Sequence, residues 1–210
     1  MLRLQTLVTA VLAATASLAA AQPQPTADLP FKLGTPTFFG SGCPADSVIV
    51  VPSTDGQTVS VLFSKYQALT KDDAVRERKT CNLAVPVDIK PGISIGVFKV
   101  DYRGNVYVPN KAEHRAQFDA EYFFANARGP TVKQVYERGT SKDVYLTNEI
   151  GVGAVVWSPC GASTNFRINT ALTAQKPAGQ TGDNVQITMD TIDATVERGF
   201  RYFIVSRKCP

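Results

Sequence analysis

The chain has 210 residues, 44% hydrophobic and 19% charged, with a formal net charge of +4 spread along its length. No compact Lys/Arg block is present, which excludes a nucleic-acid footprint. A single histidine excludes a histidine-rich metal centre, and the four cysteines lack the close C-x2-C spacing of a zinc site.

The first 21 residues read as a secretory signal peptide: Arg3 gives the charged start, Leu4 to Leu18 is uncharged and Ala-rich, and Ala19-Ala20-Ala21 offers a small-x-small cleavage site. The apolar run is short for a membrane span, so no membrane attachment is expected after cleavage and the protein is expected to be secreted and extracellular. Residues 22–36 hold Pro23, Pro25, Pro30 and Pro36 and read as an extended spacer. Residues 37–210 then form the expected domain. An even number of cysteines behind an export signal argues for two disulfides. Three connectivities are possible for Cys43, Cys81, Cys160 and Cys209. The favoured one joins Cys43 to Cys81 and Cys160 to Cys209, closing loops worth roughly 3–4 kcal/mol each in the chain-entropy model.

Ser47 to Val51 is a short strand, Pro52 to Gly56 a turn, and Thr58 to Tyr66 the returning strand. Lys71 to Lys79 reads as a charged loop or at most two helical turns, and Cys81 to Ile89 as a strand. Ile93 to Val108 carries apolar residues with period two, a phase shift near Phe98, and a turn-like Arg103-Gly104-Asn105. From Lys111 to Phe124 the even positions (Ala112, His114, Ala116, Phe118, Ala120, Tyr122, Phe124) and the odd ones (Lys111, Glu113, Arg115, Gln117, Asp119, Glu121) separate onto two strand faces. Further strands are predicted at Val132–Tyr136, Asp143–Thr147, Gly153–Trp157, Asn165–Leu172, Asn184–Met189 and Phe200–Val205. About ten strands without an amphipathic helix predict an all-β, antiparallel, single-domain β-sandwich of jelly-roll or immunoglobulin-like type.

Gly40-Ser41-Gly42-Cys43-Pro44, Arg78 to Leu83, Val100 to Gly104, Ala120 to Phe124, Trp157 to Gly161, Asn165 to Thr170 and a cysteine near the C-terminus together resemble a family of secreted proteins, domain-of-unknown-function family 4360. The resemblance spans nearly the whole chain after the signal. It implies export, paired cysteines and one β-rich domain, and supplies neither a reaction nor site residues.

Four constellations bear on function. His114 lies on the apolar side of its strand and no G-x-S-x-G elbow is present, so a packed histidine is favoured over a Ser-His-Asp triad. Asp119 and Glu121, with Glu113 in support, are the best acid/base candidates for glycoside hydrolysis, since same-face neighbours sit roughly 6.5–7 Å apart at the backbone. The same charges also make an ordinary solvated face, which is the preferred reading. Asp72-Asp73 and Asp183-Asn184, with Asp190 and Asp193, are weak calcium candidates without EF-hand spacing; no other cofactor is expected. Trp157 and the seven tyrosines could stack on sugars, although a sandwich buries most such rings and Trp157 is expected to pack on a disulfide.

The expectation is a non-catalytic extracellular binding module for a cell-wall carbohydrate or a host protein surface. A carboxylate-dependent hydrolase acting on polysaccharide and a structural extracellular-matrix protein are the alternatives.

Overall fold

A computed structural model describes residues 30–52, 58–124, 127–150, 154–189 and 200–209. The signal segment, most of the Pro52–Gly56 turn, Asp190 and Asp193 lie outside the described residues. What is described is two antiparallel sheets with no α-helix. The first sheet holds β1 (Phe31–Leu33), β2 (Thr37–Phe39), β6 (Arg76–Ile89), β8 (Arg115–Phe124), β9 (Ala127–Glu137) and β11 (Thr164–Gln175). Its order is β1-β6-β11-β8-β9, with β2 following β1 along β6. The second holds β3 (Val48–Pro52), β4 (Thr58–Phe63), β5 (Gln67–Leu69), β7 (Ile93–Tyr107), β10 (Ser141–Glu149), β12 (Gln186–Met189) and β13 (Phe200–Lys208). Its order is β3-β4-β13-β7-β12-β5, and β10 pairs with β7. The all-β sandwich and the two predicted disulfides are therefore present.

The sheets meet through the apolar half of each alternating strand. On β8, Ala116, Phe118, Ala120, Tyr122 and Phe124 are all buried, as the even-numbered positions predict. Tyr102 of β7 meets Phe118 of β8 edge-on across the sandwich, with ring centroids 4.6 Å apart. The phase shift in β7 is real: Ile95 and Val97 are buried, then Val100, Tyr102, Val106 and Val108. The register against β13 slips at the same place, from Phe203 opposite Lys99 to Ile204 opposite Val97, a bulge that puts both halves of the strand on the core.

Arg103-Gly104-Asn105 is not a turn, because β7 runs unbroken through it. Gly104 serves close approach instead. A Cβ there would stand 2.1 Å from the Thr188 carbonyl oxygen, so only glycine lets β12 pass. Three other segments also differ from expectation. Arg76–Lys79, read as loop, begins β6 because Gln175 to Leu172 pair with it and extend the ladder. Lys111–His114, read as strand, is a turn with Glu113 at φ 60°, and β8 starts only at Arg115. The described part of Gly153–Trp157 forms no strand and touches β7 through one bridge, Trp157 to Gly96. The end of the proline-rich spacer is drawn in as well: Phe31 is buried and β1 pairs with β6.

Cys43 pairs with Cys81 and Cys160 with Cys209, the favoured connectivity. The first bond is in the core, while Cys160 is exposed. Gly40 and Gly42 lie so close to β6 and to the Tyr66 ring that a Cβ would be 2.1 Å from the Thr80 oxygen or 2.2 Å from the ring.

Candidate binding trough

The outer face of the first sheet has a step in side-chain size. β11 lies between β6 and β8, and its outward residues are Asn169, Ala171, Thr173 and Gln175. Across β6 these stand opposite Asn82, Thr80, Arg78 and Arg76, and across β8 opposite Glu121, Asp119, Gln117 and Arg115. A central strand carrying Ala and Thr between strands carrying Arg, Gln, Asn and carboxylates leaves a trough along β11. It spans six residue steps, about 20 Å at strand rise. Two hollows mark it. One of about 460 Å³ is bordered by Arg78, Asn82, Asp119, Glu121, Lys133 and Asn169, with Ala171 as floor. The other, of about 100 Å³, lies between Arg76 and Arg115 over Thr173 and Gln175.

The side chains along the trough are partly fixed. Gln117 Nε2 donates to both oxygens of Asp119, at 2.7 and 2.8 Å. Arg115 donates through Nε and Nη2 to Gln175 Oε1, at 3.3 and 3.1 Å. Asn82 Nδ2 reaches the Phe39 carbonyl at 3.5 Å, and Phe39 itself, one strand over on the same face, is 65% exposed. The floor is held from below: Tyr66 Oη and Thr170 Oγ1 are 2.9 Å apart, and Thr170 Oγ1 donates to the Cys81 carbonyl at 3.0 Å. A trough lined by amides, carboxylates, guanidinium groups and an ammonium presents donors and acceptors in quantity, beside one exposed ring. That suits a hydroxyl-rich ligand.

Asp119 and Glu121 both border this trough, half-buried and on one strand face. Glu113 does not join them, because it sits in the turn before β8 with a left-handed backbone. His114 is buried at 1% exposure in the same turn. Its Nδ1 lies 2.9 Å from the Ala112 carbonyl oxygen. The two calcium-candidate loops converge on a lysine. Lys176, 2% exposed, donates from Nζ to the Asp72 carbonyl at 2.6 Å and to Asn184 Oδ1 at 3.3 Å. Beside it Lys111 pairs with Asp183, and that hydrogen bond holds the Asp183 carboxyl below its ordinary range. No cluster of three or more His, Cys, Asp or Glu poised for a metal occurs among the described residues. Of the aromatic candidates, Tyr145 and Tyr107 are exposed on the second sheet, with the Arg103 guanidinium 5.7 Å from the Tyr145 ring centre. Trp157 stacks under Arg207 at 4.0 Å.

Asn82 and Asn169 were not singled out as ligand groups by sequence reasoning. Alternation could have placed Asn169 and Ala171 on one face of their strand, but only the register of three strands distant in sequence makes a trough of them.

Among the described residues no helix is long and apolar enough to cross a membrane. The model of a family described as "Domain of unknown function (DUF4360)" matches residues 31–209, so the chain belongs to that family. An uncharacterized secreted protein of Arthroderma benhamiae is 30% identical over 136 residues, 64% of this chain and 55% of the relative. The aligned segment thus spans little more than half of that relative's length. Its name and the two disulfides are consistent with an extracellular location. Among solved structures, TmCBM61 in complex with beta-1,4-galactotriose is similar at a TM-score of 0.31 and 10% identity, covering 85% of this chain and 89% of that one. At that score nothing about this chain is drawn from it.

Proposed function

We propose that this member of the DUF4360 family is a secreted, non-catalytic module that binds an extracellular glycan chain in the trough along β11. One observation carries the reading: small Ala171 and Thr173 form a floor between two walls of polar side chains, about 20 Å long and open to solvent. Sugar hydroxyls both donate and accept. Asn82 and Asn169 answer them with amides, Asp119 and Glu121 with acceptors, and Phe39 offers a face for stacking.

The test is retention on insoluble chitin, β-glucan and cellulose by the folded protein and by Ala171→Trp. The substitution puts a large ring on the floor between Thr80 and Asp119, and urea unfolding checks that the variant is folded. Retention of the parent on at least one polymer, lost in the variant, is the expected result. An equal retention of the two proteins removes the trough as the site, and no retention on any polymer removes the reading. The placement of Asp119 and Glu121 together in the trough favours one second reading, hydrolysis of the bound chain. In that case Asp119→Asn and Glu121→Gln abolish reducing-end release while retention persists.

A further inference from the structure

The two ends of the trough differ in charge. Along its larger hollow Asp119 and Glu121 are balanced by Arg78 and Lys133, whereas Arg76 and Arg115 line the smaller one, which no acid borders among the described residues. Arg76 and Arg78 lie two apart on β6, and Arg76 and Arg115 both stand opposite Gln175. All three guanidinium groups are exposed, and none forms an ion pair among the described residues. Glu137 is the cross-strand neighbour of Arg115 on β9, yet Arg115 is turned to Gln175 Oε1 through Nε and Nη2. Asp119, the nearest acid along β8, has both oxygens taken by Gln117 Nε2. Between Arg76 and Arg115 is a hollow of about 100 Å³ over Thr173, which is 6% exposed and leaves a low floor.

A solvated strand face ordinarily alternates the sign of its charges across strands. Here Arg78, Thr173 and Gln117 make one cross-strand row with no acid, and the row of Arg76, Gln175 and Arg115 meets an acid only at its β9 end, Glu137. Forks of N–H donors around a hollow match the planar oxygens of a carboxylate, or the charged oxygens of a sulfate, better than they match a neutral hydroxyl.

We infer that the glycan taken by the trough is anionic, with a uronate carboxylate or a sulfate ester of the chain seated between Arg76 and Arg115. This rests on the glycan-binding reading and narrows it. Mobility of the intact secreted protein is compared in native gels cast with paired polymers: polygalacturonate against fully methyl-esterified pectin, and dextran sulfate against dextran. The parent is retarded by a charged member more than by its neutral partner, and salt weakens the effect because the arginines are exposed. The pair that responds tells carboxylate from sulfate. In Arg76→Gln/Arg115→Gln, that affinity falls by roughly tenfold or more, as loss of charge-assisted hydrogen bonds requires. A control, Lys142→Gln/Lys208→Gln, removes the same charge from exposed positions on the second sheet and keeps the parent's affinity. Equal losses in the control and the arginine variant would mean diffuse attraction and overturn the inference. Retardation by neutral polymers alone overturns it and leaves the glycan-binding reading standing. No retardation by any polymer ends both.

Discussion

Thr170 lies beneath the trough, flanked in sequence by Asn169 and Ala171, and is the link between the floor and the disulfide-bearing strand. Its hydroxyl donates to the Cys81 carbonyl at 3.0 Å and bonds the Tyr66 phenol at 2.9 Å, with Tyr66 only 1% exposed. Tyr66→Phe removes a buried hydroxyl while keeping the ring against Phe63, whose centroid is 5.1 Å away. The expected loss is about 1 kcal/mol, the net value of one buried hydrogen bond. Thr170→Val keeps the shape but strips the phenol of one partner and the Cys81 carbonyl of another, a loss of roughly 1–2 kcal/mol. Because both substitutions break the same bond, the double variant falls short of the sum by about 1 kcal/mol. The readout is urea unfolding without reductant. In thermal scans each kcal/mol shifts Tm by about 2–4 °C for a chain of this size. Additive losses, within about 0.3 kcal/mol, would refute the link between Tyr66 and the floor.

Gly104→Ala forces a Cβ to within 2.1 Å of the Thr188 carbonyl oxygen, and β12 has to move. A loss of at least about 1–3 kcal/mol is expected by denaturant titration, with faster amide exchange at Ile187 and Met189; unchanged stability would contradict the packing. Alkaline stability follows from the buried tyrosines. Burial pushes the Tyr136 phenol up to about 12, and pushes Tyr66 and Tyr122 higher still. With the folded value above the unfolded one, near 10, the folded state keeps the proton that the unfolded state releases. Stability is therefore intact below pH ~10 and falls as pH rises above it. Tyrosinate absorbance followed against pH should show these three ionising together with unfolding, and ionisation while folded would refute the placement.

β8 could be read from the chain because its alternation is local: every second residue from Ala116 to Phe124 faces the core whatever the neighbours are. The same rule misled at Lys111–His114. His114 falls on an even position and is buried, so the pattern continues across a turn that the left-handed backbone of Glu113 actually makes. The bulge in β7 was legible as a phase shift near Phe98, since an extra residue in one strand moves every later side chain by one position. Gly104 was read as a turn because glycine permits both a turn and a close crossing, and only the position of β12 separates them. Arg76–Lys79 was read as loop because nothing near it in sequence says that Leu172 to Gln175 will pair with it. The trough has the same origin. Its floor, its arginine end and its carboxylates come from three strands far apart in the chain, and their shared register is a property of the folded sheet.

Lys176 has a consequence of its own. A metal ion between two loops dissociates when its surroundings are dilute, whereas the Lys176 ammonium between Asp72 and Asn184 is tethered by its own backbone. Its effective concentration is set by the fold, not by the medium. The contact is therefore immune to chelators and indifferent to the ionic supply outside a cell. Its weak point is chemical, since any modification that neutralises the amine would leave the Asp72 carbonyl and Asn184 Oδ1 without their donor.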